Sequence, residues 1–259
     1  MIEAASLTCG YRNREVLKGI RLEVPRGDFV GVLGPNGSGK STLLLTLAGV
    51  LGYPHGSLKV AGEEIASTAP AWRARRIAVV QQRSEFSFPF QCLSVVLMGR
   101  YPYLSRWGGY SPADREAAMQ AMEDTETLHL ARRLITEISG GEAQRVIIAR
   151  ALAQQSDLLL LDEATSSLDV AAKIRVFDLL RRKNSEGVTV VCAMHDLNLA
   201  ALYCRRLIFI KDQSILLDGD TEETFKDEQL SRIYGTDVRV CRHPVADRPQ
   251  ALFVPGNDH

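Results

Sequence analysis

The chain has 259 residues and no excess of either charge, with 31 Lys and Arg against 31 Asp and Glu. It therefore lacks the basic footprint of a nucleic-acid binder. It also lacks any apolar run near the roughly 20 residues that a membrane span requires. The longest such runs, residues 157–161 and 188–193, are strand-sized. Met1-Ile2-Glu3 lacks the basic-then-apolar order of a secretory leader. Cysteine is scarce: Cys9, Cys92, Cys192, Cys204 and Cys241 are scattered, odd in number and form no Cys-x-x-Cys. A disulfide framework or thiolate metal site is disfavoured, and reduced thiols in a cytosolic chain are expected, several of them buried. No internal repeat or low-complexity tract stands out. What remains is enough chain for a substantial core, as one large domain or one domain with a lobe.

Against these absences stands residues 34–41, Gly-Pro-Asn-Gly-Ser-Gly-Lys-Ser. This Gly-x-x-x-x-Gly-Lys-Ser spacing lets backbone N–H groups turn inward around a polyphosphate. Lys40 supplies a point charge to the β- and γ-phosphates, and Ser41 can offer its hydroxyl to Mg²⁺. The context fits, because residues 29–33 read as a buried strand and residues 41–50 as an apolar helix.

Upstream, residues 7–9 and 16–24 read as strands joined to the loop by the turn Pro25-Arg26-Gly27-Asp28. Residues 57–64 resemble a short hairpin, and residues 77–80 a strand. From residue 93 to 152 helical patterns dominate, with Ser111-Pro112-Ala113-Asp114 as a helix start. Strand, helix and strand return at residues 158–162, 171–184 and 188–193. Buried strands alternating with helices predict a parallel sheet covered on both faces.

Two further segments carry chemistry. Residues 158–161 are all Leu and end in Asp162 and Glu163. Ligands of open parallel sheets sit at the carboxyl ends of strands, so Asp162 is placed to hold Mg²⁺ and Glu163 to take a proton from an attacking water. Ser139-Gly140-Gly141-Glu142 precedes a helical run to residue 155 and puts a helix N-terminus at a loop, a second anion site. Two phosphate-binding helix starts with one set of carboxylates suggest that two chains share a nucleotide. His195 follows the strand at 188–193, at a strand's carboxyl end. His55, His129 and His243 have no such placement, and Met98, Met119 and Met122 read as packing.

In this order the elements resemble the ATP-binding subunits of ABC transporters over nearly the whole chain. The resemblance implies that Tyr11 stacks on adenine, with Val16 as an apolar partner. Gly34, Pro35, Asn36, Gly37, Ser38, Gly39, Lys40, Ser41 and Thr42 match the Walker A loop. Gln82 matches the Q-loop glutamine; Gln81 precedes it where Pro often stands, so two glutamines are adjacent and Gln82 is chosen. Ser139, Gly140, Gly141 and Glu142 match the signature, with Ile138 where Leu is usual. Asp162 and Glu163 match Walker B, residues 166–169 the D-loop with Asp169 in the nucleotide site, and His195 the switch histidine.

The implied fold is α/β: a P-loop (RecA-like) parallel-sheet core, an N-terminal antiparallel β subdomain and an inserted helical subdomain. One ABC ATPase domain is expected over 1–259, with 1–88 and 150–259 as core and 89–149 as the helical signature subdomain. Two copies would sandwich two ATP molecules. Lys40, Gln82, Glu163 and His195 would be catalytic, and Ser41, Gln82 and Asp162 would hold Mg²⁺. Residues 88–90 and 96–102 and the tail at 240–244 resemble the subunits that drive uptake of iron–siderophore, haem or cobalamin. Such subunits sit peripherally on the cytoplasmic face of the inner membrane, pair with two polytopic permease subunits and serve a substrate-binding protein indirectly. Phe86, Phe88, Phe90, Tyr101 and Tyr103 are either a docking surface or lobe core. An exporter subunit is the nearest rival. A chromosome-structure ATPase would need long heptads, and a small-molecule kinase would not need Ser-Gly-Gly.

Overall fold

A computed structural model describes residues 1–12, 14–82, 88–105 and 108–255. The chain divides into two compact units, residues 1–67 with 189–259 and residues 68–188. In the first unit, β1 (Ile2–Tyr11), β2 (Arg14–Val24), β4 (His55–Val60) and β5 (Glu63–Glu64) form an antiparallel sheet in the order β2-β1-β4-β5. Ile20, Leu22 and Val24 of β2 are buried and alternate with exposed residues, the period-two pattern of a half-buried strand.

The same unit holds β3 (Phe29–Leu33), buried at every position as a strand covered on both faces requires. It pairs in parallel with β8 (Thr189–Ala193) and β9 (Arg206–Lys211), and β10 (Ser214–Asp220) adds antiparallel to β9. Helix α1 (Lys40–Leu47) follows β3, and α7 (Leu197–Tyr203) follows β8. The helix expected to reach residue 50 ends earlier, because Gly49 takes φ 66° and the Val50 amide turns back to Leu45 O. After β10 come α8 (Thr221–Thr224), α9 (Asp227–Tyr234) and the antiparallel hairpin of β11 (Val238–Arg242) and β12 (Pro249–Phe253).

The second unit contains α2 (Pro70–Arg76), β6 (Ile77–Val80), α3 (Cys92–Leu97), α4 (Pro112–Asp124), α5 (Gly140–Ala153), β7 (Leu158–Asp162) and α6 (Val170–Ser185). Strands β6 and β7 pair in parallel from Ile77↔Leu158 to Val80↔Leu161. Val95, Val96, Met122, Val146 and Ala149 from α3, α4 and α5 share one apolar core. Ser111 caps α4 as expected, in a reciprocal box with Asp114. Asp114 also meets Arg100 at 2.9 Å, and that guanidinium reaches Ala153 O and Gln155 Oε1. Parallel strands, an N-terminal antiparallel sheet and a helical insertion are the predicted α/β architecture.

Candidate nucleotide site

In the first unit, the register of β3 and β8 sets the level of two predicted residues. Val32 pairs with Ala193, and the Met194 amide donates to Val32 O at 3.1 Å. Gly34 and His195 each stand two residues beyond that pair, so both emerge at the carboxyl ends of adjacent strands. Glycine is required at two points of the loop. A Cβ at Gly34 (φ 145°) would come within 2.1 Å of Ile210 O, and one at Gly39 (φ 106°) within 2.8 Å of the Leu17 side chain.

Lys40 folds back into the loop it follows. Its Nζ donates to Gly34 O (2.9 Å) and Pro35 O (3.1 Å), and the residue is only 4% exposed. A compact ammonium is thus fixed inside a ring of backbone. Ser38 Oγ is buried there without a hydrogen-bond partner, an orphan that suits a polyphosphate-binding loop. Val16 lies against the loop, 3.1 Å from where a Gly39 Cβ would stand. Tyr11, at the end of β1, is 48% exposed. His195 is exposed, and the next residue, Asp196, caps α7 by accepting from Asn198 N (3.1 Å) and Leu199 N (3.0 Å).

In the second unit the same logic repeats. Val80 pairs with Leu161, so Gln82 and Glu163 each stand two residues past the pair. Gln82 Nε2 donates to Glu163 Oε2 at 2.5 Å. Of the adjacent glutamines, Gln82 is the one whose side chain reaches the carboxylate. Asp162 closes β7 and is 8% exposed, whereas Glu163 has φ 49°. A left-handed glutamate is uncommon, a strained backbone of the kind that collects at functional sites. Tight turns from Ser166 N to Glu163 O and from Leu168 N to Thr165 O deliver Asp169 to the start of α6. There its carboxylate accepts from Ala172 N at 2.7 Å.

The start of α5 is closed by its own side chains. Glu142 accepts from Ser139 N and Ser139 Oγ, both at 2.8 Å, and the Glu142 amide returns to Ser139 Oγ. The Ser139 amide first and its hydroxyl second hold the Glu142 carboxyl below its usual range. The Ser-x-x-Glu spacing signals this box, which neither the anion-site expectation nor the signature match includes. The glycines beside it are not demanded by packing. A Cβ at Gly140 meets nothing within 4 Å among the described residues, and one at Gly141 only Leu168 at 3.6 Å.

The aromatic residues near Gln82 divide. Phe88, Phe90 and Tyr101 are 68%, 42% and 73% exposed. Tyr103 is half-buried, donates to Gln154 O at 2.9 Å and lies under the Arg100 guanidinium. Phe86 lies outside the described residues.

A family model described as ABC transporter matches residues 17–166. The chain belongs to the ABC transporter family. It is 36% identical over 98% of its length to the ferric enterobactin transport ATP-binding protein of Escherichia coli, covering 93% of it. It is 38% identical to the hemin import ATP-binding protein of Hahella chejuensis, over 98% of this chain and 100% of that one. Against an uncharacterized ABC transporter ATP-binding protein of Bacillus subtilis, 37% identical over 99% of this chain, it spans 59% of the relative's length. A solved structure of a candidate metal-chelate type ABC transporter in an inward-facing conformation superposes with a TM-score of 0.85. It is 29% identical, with 99% of this chain and 98% of that one covered. The chain is accordingly an ABC-type ATPase.

One feature of this ABC cassette had no signal in its motifs. A cavity of about 230 Å³ beside α5 is lined by Asp124, Glu126, Arg145, Arg175 and Arg182. Its charges satisfy one another, as in Arg175–Glu126 at 3.1 Å and Arg182–Asp124 at 2.8 Å. The lining residues are dispersed in sequence, so no local motif marks them.

Proposed function

We propose that this chain is the ATP-hydrolysing subunit of an importer that takes up a metal chelate of the iron–siderophore, haem or cobalamin kind. The observation that carries its chemistry is the Gln82–Glu163 pair, held at the carboxyl ends of neighbouring parallel strands. Support for the import class comes from relatives aligned over almost their full length. In this reading Tyr11 and Val16 take the adenine, and residues 34–42 cradle the phosphates with Lys40 as the central charge. Ser41, Gln82 and Asp162 offer Mg²⁺ hard oxygen donors, which fit its preference. When bound, the ion neutralises and orients the β- and γ-phosphate oxygens.

Glu163 accepts a proton from the attacking water. Gln82 fixes the rotamer of Glu163 by its hydrogen bond. His195 contacts the γ-phosphate from the end of β8. Catalysis is then mainly positioning and charge stabilisation. Ser139, Gly140, Gly141 and Asp169 serve the nucleotide of a second copy. The open surface over Gly140 and Gly141 suits the close approach of another backbone.

Among the described residues no helix is long and apolar enough to cross a membrane. We assign the subunit to the cytoplasmic face of the inner membrane, bound to two permease subunits through the exposed Phe88, Phe90 and Tyr101. An exposed aromatic patch marks such docking surfaces. Co-purification from the native cell tests this assignment. Recovery with a polytopic membrane protein and a chelate-binding protein supports import. Recovery with a membrane protein that exports the chelate, or with none, contradicts it.

A further inference from the structure

The C-terminal segment, residues 227–254, contributes no residue to the nucleotide motifs, yet it grips both flanks of the nucleotide site in the first unit. One grip is on the helix that follows His195. Asn198 of α7 is paired with the backbone of Ala251 in β12 in both directions: Ala251 N donates to Asn198 Oδ1 at 2.7 Å, and Asn198 Nδ2 donates to Ala251 O at 3.2 Å. At the other end of α7, Arg248 donates from Nε to Ala201 O (2.9 Å) and from Nη2 to Cys204 O (2.8 Å). A helix of seven residues has little stability of its own. Its orientation is set by what holds it, and His195 stands one residue ahead of its cap, Asp196.

The other grip is on the phosphate loop. Ile210 O closes over Gly34, where no Cβ would fit. The next residue, Lys211, donates from Nζ to Arg232 O of α9 at 3.0 Å. Two residues on, at the end of α9, Tyr234 turns its hydroxyl to the backbone of Gly34. That hydroxyl is buried and does not complete a hydrogen bond of normal geometry. Burial pushes the phenol up to about 12, so it stays protonated. A buried hydroxyl left unpaired is unfavourable. With Ser38 Oγ, it is a second buried orphan hydroxyl beside this loop. A small adjustment of Gly34 as the loop orders around phosphates would complete the bond.

We propose that residues 227–254 form a positioning element of the nucleotide site, in which Tyr234 sets the phosphate loop and Asn198, held by β12, sets His195. Tyr234 and Asn198 are positioning residues, since neither meets substrate. The inference rests on the assignment of residues 34–42 to the phosphates and of His195 to the γ-phosphate.

Steady-state ATPase and thermal unfolding of the full chain test it. Tyr234→Phe removes only the hydroxyl and should raise KM for ATP about three- to tenfold while kcat stays within about twofold. Asn198→Ala should lower kcat about three- to tenfold with KM within about twofold, because geometry at the γ-phosphate is lost while binding is kept. Arg248→Gln, which loosens the other end of α7 without touching Asn198, should act in the same direction as Asn198→Ala. Should Asn198→Ala fail to fold, Arg248→Gln takes its place. Wild-type kcat and KM in Tyr234→Phe, or in both α7 variants, overturn the proposal. So does a loss of activity that merely tracks the fraction of unfolded protein. Lys40→Ala separates the two levels. If it leaves ATP binding intact, the phosphate-loop assignment fails; if it weakens binding about tenfold or more while the other variants behave as wild type, only the present inference fails.

Discussion

Two helix starts in this protein read alike in sequence and differ in structure. Helix α1 begins after Gly39, which brings no side chain to the cap, and no acidic residue stands in its first turn. Helix α5 begins at Ser139 and is closed by Glu142 in a reciprocal box. Both have the positive end of a helix dipole and glycines at the loop. At α1 the local positive charge is increased by buried Lys40, whereas at α5 a carboxylate already occupies the first turn. In the proposed function the first would hold a polyanion by itself. The second is closed by its own side chains and, in the proposed shared site, would offer its glycine-lined edge to a nucleotide held elsewhere. The proposed shared site would divide the labour in this way, one jaw binding and the other recognising what is bound.

The largest effect should come from separating turnover from binding at the first jaw. Glu163→Gln should lower kcat by at least about a hundredfold, the usual contribution of a general base, with ATP affinity retained. Phosphate release measured beside nucleotide binding checks this. Next comes the charge that distinguishes the two jaws. Lys40→Ala should weaken ATP binding by about ten- to a hundredfold, or roughly 1.4–2.8 kcal/mol, read by fluorescent nucleotide titration.

At the second jaw the expected losses concern stability. Ser139→Ala removes the cap of α5 and should cost about 1 kcal/mol in urea unfolding, as N-cap losses do. Unchanged unfolding would mean that the box is not what stabilises α5. The start of α4 is the control, with the same Ser-x-x-acid box and no proposed ligand. Its Asp114 is held down to about 2 by the Ser111 hydroxyl and then by Arg100. A depressed carboxyl stabilises the fold above its unfolded value, near 3.8, and loses that contribution as pH falls towards 2. The stability advantage of wild type over Asp114→Asn should therefore shrink between about pH 4 and pH 2. A constant difference across that window would exclude the pair as its source.

Strands buried on both faces were legible in the sequence, because Phe29–Leu33, Leu158–Asp162 and Thr189–Ala193 are unbroken or nearly unbroken apolar runs. The start of α4 was legible too, since Ser111, Pro112 and Asp114 each signal it locally. The Gln82–Glu163 contact was not, because it depends on which strands pair, across 81 residues of chain. The closed start of α5 was present in the spacing of Ser139 and Glu142, but the glycines between them drew the reading towards an anion. The C-terminal hairpin was not legible as strands, although residues 240–244 carry part of the family resemblance. Only Val238, Pro249 and Ala251 of its ten strand residues are buried, too few for a clear alternation to mark them.

The central claim is that α1 of one copy and α5 of another hold one nucleotide, and dimerisation reports on it directly. Sedimentation of Glu163→Gln with and without Mg²⁺ and ATP should show monomers without nucleotide and dimers with it. Adding Gly141→Asp, which puts a carboxylate at the glycine-lined edge, should keep ATP binding and prevent the dimer. A nucleotide-dependent dimer that survives Gly141→Asp unchanged would contradict the shared site.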